Sequence, residues 1–360
     1  TSSTESILSA SYGLGRHQKG LDKMPPKTEK KVNLVMLAVY MVLWYTLNVQ
    51  YNLYNKKILN AFPYPYMVSL SQLASGIFYI LPIWLLGLGG RSFPSGFSFP
   101  KMGLLGFFHG SGHFATVISL GAGSVAFANV VKAAEPFCSV LMGVLMTASF
   151  PPAMELLSLT PIIAGVMIAS MAEPEFSQTA FIFAMSSNLL FAARGTLAKL
   201  IMSGGEGSKK IGGADVFALN TLFALVIMAP LAVYMEGPVI QDAWAKYTTG
   251  TKPIDFTALL NGELDVKTKP SPEYFAAYML VCGLYYYTYN EMAFMVLDLL
   301  DPVGQAVGNT VKRVVIIIAG TIVFNKPLTQ QGIIGSSVAI GGVLVYSLVK
   351  AQAGAKAKKA

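Results

Sequence analysis

Residues 309–324 read "NTVKRVVIIIAGTIVF", an apolar run broken by two adjacent full charges, Lys312 and Arg313. From Pro302 to Phe324 the run has the length of a helix that crosses a bilayer core, roughly twenty residues. A cation stranded at the centre of a bilayer costs at least ~2.5–3.5 kcal/mol on insertion scales. Two side by side therefore need a reason, and that reason organises the rest of the sequence.

The whole chain resembles this stretch. Of its 360 residues 54% are hydrophobic and only 12% charged, where a soluble domain carries about 25% charged residues. The mean hydropathy is +0.55. Ten apolar spans are expected, near 33–55, 64–88, 102–121, 124–148, 153–172, 178–202, 214–235, 273–296, 303–324 and 329–350, so the fold class is an all-α polytopic membrane protein. Short Pro-bearing turns such as "FPYP" at 62–65 and "NKP" at 325–327 join neighbouring antiparallel helices. The exception is 236–272, a polar stretch expected to be a solvated or partly helical linker.

The formal net charge of +8 does not point to nucleic acid. Lys27, Lys30 and Lys31 precede the first span, and Lys350, Lys356, Lys358 and Lys359 follow the last. Flanking lysines of this kind face a lipid surface or set topology. Residues 1–31 read as a polar tail, or the remainder of a cleaved targeting region, and 353–360 as a basic tail. Cys138 and Cys282, the only cysteines, lie in apolar runs, so neither a disulfide framework nor a thiolate metal site is expected.

Shifting the chain by 180 positions lays the fourth span over the ninth. Ala126, Asn129, Val131 and Lys132 then coincide with Ala306, Asn309, Val311 and Lys312, a shared A-x-x-N-x-V-K. A duplicated intramembrane lysine is rare, and that gives the match its weight. Five spans per repeat make the halves, 32–172 and 173–352, cross in opposite senses. Inverted repeats with polar groups near the midplane are the mark of secondary transporters.

Lys132, Lys312 and Arg313 are then three intramembrane cations, against which neighbouring spans offer Glu135 and Glu291. Even if both acids are used, one cation is left over, so an anionic ligand is the better account. Lys supplies a point charge and Arg a planar fork suited to phosphate or carboxylate. In the third span His113 and Thr116 share a face, as do His109 and His113. A histidine pair at that spacing can take a metal, but no third ligand is near. Hydrogen bonding to a polar ligand, or between helices, is the alternative. "LYYYTYNEM" at 284–292 sets Tyr289 beside Asn290 and Glu291 in mid-span, as an interfacial anchor or a ligand contact. Arg194, Lys199, Lys56 and Lys57 read as snorkelling cations at helix ends. No catalytic motif or cofactor-binding motif is present, so the chain does not read as an enzyme. A channel is the rival reading of a basic core, and the inverted duplication favours alternating access over an open pore.

"NLYNKKILNAFPYP", "VVKAAEPF", "YNEMAFMVLDLLDPVGQAVGNTVKRVVII" and "GVLVYSLVKA" resemble the plastidic phosphate translocators of the drug/metabolite transporter superfamily, over about 32–352. The resemblance implies ten transmembrane helices in two inverted five-helix repeats, in a plastid membrane such as the inner envelope. It implies obligatory exchange of inorganic phosphate for phosphorylated metabolites. By the same resemblance Lys132, Lys312 and Arg313 hold the phosphate with Thr116, while His113, Phe191 and Tyr289 line the organic part of the site. That trio looks like the triose-phosphate branch, with triose phosphate and 3-phosphoglycerate as substrates. Hexose-phosphate, pentose-phosphate and phosphoenolpyruvate translocators, or a nucleotide-sugar transporter, are the alternatives. The long segment 236–272 and "FAARGTLAK" depart from the plant pattern.

Overall fold

The computed structural model describes residues 34–147, 150–174, 176–202, 211–251, 253–265, 269–299 and 302–357. The polar tail expected over 1–31 lies outside them. The chain divides after Leu37 into two units. Of the first unit only the opening turn of one helix is described; the helix packing and the candidate site belong to the second, Ala38–Ala360. Among the described residues all regular structure is helical.

The helices are α1 (Leu34–Ala61), α2 (Pro65–Leu86), α3 (Phe99–Ala122), α4 (Val125–Val131), α5 (Glu135–Thr147), α6 (Ala153–Leu157) and α7 (Thr160–Met171). They continue as α8 (Gln178–Met202), α9 (Gly213–Tyr247), α10 (Phe256–Leu260), α11 (Pro272–Leu299), α12 (Pro302–Val323) and α13 (Gln330–Ala357). Their boundaries follow local chemistry. Pro65 opens α2, where a missing N–H costs nothing, and Gly87 ends it with φ 64° and its N–H on the Ile83 carbonyl. The Ser124 side chain caps α4 by accepting from the Phe127 N–H. Between α4 and α5 a 3-10 turn over Lys132–Ala134 breaks the rod.

Among the described residues six helical stretches are long and apolar enough to cross a membrane: Pro65–Leu86, Val125–Met146, Ala153–Met171, Gln178–Ala198, Gly213–Tyr247 and Gln330–Ala353. α1, α3, α11 and α12 are of similar length. They carry much of the polar interior, including Asn48, His109, His113, Tyr286, Tyr289, Lys312 and Arg313. Outward-facing residues such as Phe78, Leu85, Leu145, Ile322 and Leu348 are exposed and apolar, as a lipid-facing surface requires.

Small residues let the rods approach. α7 lies against α13 with Gly165 on the Ala339 backbone and Gly335 on the Ala169 backbone, so close that a methyl at either glycine would overlap main chain. α8 packs on α3 and α5, α9 on α3 and α2, α11 on α2, and α12 on α4 and α13.

Of the two forms expected for the polar stretch 236–272, the partly helical one is found, tied into the bundle. α9 runs to Tyr247 through Pro238. The carboxylate of Glu236 accepts the Tyr66 and Met67 N–H groups at 3.2 and 2.8 Å, satisfying the free amides at the start of α2. Trp244 and Tyr247 pack with Phe62 in the core. Beyond them α10 is strapped down by its carbonyls: Tyr54 donates to Leu259 at 2.5 Å and Lys57 to Gly262 at 2.6 Å. The basic tail expected from 353 is likewise helical as far as Ala357.

Candidate functional site

The 3-10 turn after α4 carries Lys132, whose ammonium donates to Thr116 Oγ1 on α3 at 2.9 Å. The same ammonium sits 5.5 Å from the centre of the Phe191 ring on α8. Phe191 is placed by Gly112: a methyl there would meet the ring at 2.9 Å. Arg194, one turn along α8, lies 4.8 Å from the same ring centre.

From the other half, Arg313 is buried and binds Glu135 at 2.6 Å. Glu135 opens α5 directly after the break, so it faces α12 and meets Arg313 instead of pairing with Lys132 alone. Lys312 turns the other way and lies 4.8 Å over the Trp44 ring of α1. Lys132 and Lys312 are each within electrostatic range of the other, of Arg313 and Arg194, and of Glu135. Glu291, weighed from the sequence as a second counter-ion, is occupied elsewhere: Arg91 binds both it and Asp215. Among the described residues the cluster holds four cations and one of the two acids weighed from the sequence.

A wall of rings closes one side. His109 accepts from Arg194 at Nδ1, 3.0 Å, so its Nε2 carries the proton and donates to Tyr286 at 2.9 Å. Both nitrogens are thereby engaged, which removes His109 from a metal-binding pair. His113 packs on Tyr286, ring centres 4.1 Å apart, and its buried Nε2 has no partner among the described residues. Tyr289 stands 6.0 Å from Tyr286 and 5.3 Å from Tyr51, within hydrogen-bonding reach of Asn48 and Asn290. The buried Trp44 Nε1 also lacks a partner among the described residues. Orphaned buried polar atoms of this kind call for a ligand or water.

The structure thus brings Lys132, Thr116, Phe191, Lys312 and Arg313 into one cluster, with His113 and Tyr289 joined to it through Tyr286. Arg194 corrects the sequence reading: it is no snorkelling side chain but part of the cluster. The signal was present, since Arg194 follows Phe191 by three residues and shares its face. Lys56 and Lys57 do reach helix ends, where Lys56 holds the Leu120 and Gly123 carbonyls, each at 2.8 Å. The Lys199 side chain lies outside the described residues.

Residues 35–347 match the model of the Triose-phosphate Transporter family. A chloroplastic triose phosphate/phosphate translocator of Zea mays is 34% identical over 323 residues, 90% of this chain and 73% of that protein. The chloroplastic phosphoenolpyruvate/phosphate translocator 2 of Arabidopsis thaliana is 33% identical, over 85% of this chain and 75% of its own length. The glucose-6-phosphate/phosphate translocator 2 of the same plant is 31% identical, over 89% and 77%. The chain belongs to the triose-phosphate transporter family.

Proposed function

We propose that the chain is a phosphate antiporter of a plastid membrane, in which two inverted five-helix repeats of ten membrane helices exchange inorganic phosphate for phosphorylated three-carbon compounds by alternating access. One observation carries the reading: among the described residues four cations from both halves converge around a single acid, Glu135. Lys132, Lys312, Arg313 and Thr116 hold the phosphate. His113, Phe191 and Tyr289 line the organic part, and Arg194 offers a charge to an acidic substituent there.

The electrostatics connect binding to exchange. Sealing an empty site from water would bury uncompensated cations, at several kcal/mol per ion after relaxation. A bound phosphate dianion lowers that cost, so the loaded carrier crosses and the empty one does not. The bulky wall of Tyr286, His113 and Phe191 favours a short carbon skeleton, hence triose phosphate and 3-phosphoglycerate. The phosphoenolpyruvate and glucose-6-phosphate relatives motivate a second reading in which another phosphorylated metabolite is preferred.

The test is reconstitution with internal phosphate and external triose phosphate, 3-phosphoglycerate, phosphoenolpyruvate, glucose 6-phosphate and a nucleotide sugar. The three-carbon compounds with the phosphate at the end of the skeleton, triose phosphate and 3-phosphoglycerate, should drive the fastest exchange. Faster exchange with phosphoenolpyruvate or glucose 6-phosphate would move the chain to another branch, and exchange with the nucleotide sugar alone would displace the phosphate reading.

A further inference from the structure

Asn188 of α8 is buried, and its amide donates to the carbonyl of Val131 at 3.0 Å. Val131 is the last residue of α4, immediately before the 3-10 turn that carries Lys132. A single side chain therefore pins α8 to the turn from which a site cation springs.

This clasp has a counterpart in sequence that is open in the structure. A shift of 140 positions lays α1 over α8 and puts Asn48 on Asn188, Thr46 on Ser186, Val49 on Leu189 and Tyr51 on Phe191. The shift of 180 puts Val311 on Val131 and Lys312 on Lys132. The two shifts differ because the α9–α11 connection adds residues to the second half. By this correspondence Asn48 should hold the Val311 carbonyl, but it does not. Asn52 donates to the Asn48 backbone carbonyl at 2.8 Å and to its side chain at 3.3 Å, and Tyr289 lies within reach.

The helices differ in the same sense. α4 breaks at Lys132–Ala134, whereas α12 is an unbroken helix through 312–314. α8 packs closely on α5, while α1 meets α12 through side chains, with Tyr45 donating to the Gly308 carbonyl at 2.8 Å and Lys312 over Trp44.

We infer that Asn188 and Asn48 are positioning residues that form alternate clasps: each, when engaged, docks its helix on the carbonyl preceding a site lysine, and only one is engaged in each access state. The structure is the state with Asn188 engaged. In the opposite state Asn48 leaves Tyr289 and takes the Val311 carbonyl, and Asn188 lets go of Val131. This rests on the alternating-access reading above.

The experiment measures distances on the whole purified protein by pulsed EPR, without substrate. One spin-label pair sits at exposed Ile182 and Leu141, across α8 and α5, and a second at exposed Val42 and Val315, across α1 and α12. Asn188→Ala should raise the population with α8 parted from α5 and α1 closed on α12 about tenfold, equivalent to ~1.4 kcal/mol. Asn48→Ala should move both pairs the other way, by a similar factor. Should an alanine variant fail to fold, the serine variant, which keeps a shorter donor, should give a smaller shift of the same sign. Shifts of the same sign for both residues, or unchanged distributions in folded variants, would overturn the inference. The distances need no transport, so mirrored shifts in a protein that exchanges no phosphate would refute the transport reading and leave the clasps standing.

Discussion

Two buried charge clusters in this molecule are built from the same residue types and have opposite characters. Around Arg91 one cation faces two acids, Asp215 and the fully buried Glu291, and the group ties the loop after α2 to α9 and α11. Around Lys132 four cations face Glu135. The first cluster already has negative charge in excess of positive, with Arg91 Nη2 and Glu291 Oε2 lacking a hydrogen-bond partner among the described residues. The second is short of negative charge, and a short, doubly charged anion is what it lacks. Burial of charge alone does not mark an anion site; a surplus of positive charge does.

The largest expected effect breaks the second cluster. Lys312→Ala or Arg313→Ala should lower exchange efficiency at least about thirtyfold, since truncating one member of a buried charge contact costs ~2–5 kcal/mol. Proteoliposome exchange, with the protein shown to be folded, is the measurement. Breaking the first cluster should be a stability event instead. Arg91→Ala leaves Glu291 buried without its partner and should destabilise the fold by ~3–5 kcal/mol. Phosphate affinity of the folded fraction should not change. Thermal unfolding alongside phosphate binding separates the two quantities, and Arg91→Met with Glu291→Gln should restore most of the lost stability.

Smaller changes sharpen the contrast. Glu135→Gln widens the imbalance, so phosphate should bind several-fold more tightly while the empty protein loses about 1 kcal/mol, the carboxylate being half exposed. Titration of phosphate against the unfolding midpoint reads both. Trp44→Leu removes the ring beneath Lys312, a contact of ~0.5–2 kcal/mol. It should raise the KM for phosphate a few-fold, and Trp44→Phe should recover most of that.

What the sequence disclosed follows from cost. Lys132, Lys312 and Arg313 stood out because full charges in apolar runs are improbable without a purpose, and Thr116 because it shares a face with His113. Phe191 had no such signal: an aromatic ring in an apolar helix is ordinary, and only the resemblance named it. Arg194 was visible but misread, because a cation a few residues from the end of a span snorkels as readily as it turns inward. The pairing of Glu291 with Arg91 depends on a loop folding back over the bundle, which no helical period encodes. The end of α9 was misplaced because Gly237 and Pro238 look like a stop. A tertiary bond from Glu236 to the start of α2 and the packing of Trp244 carry the helix past them.

The central claim is that the unbalanced cluster cannot be sealed empty. Phosphate uptake should be compared in proteoliposomes loaded with phosphate and in proteoliposomes loaded with an inert salt. The imbalance predicts fast saturable uptake in the first and little in the second, and equal initial rates in both would contradict it.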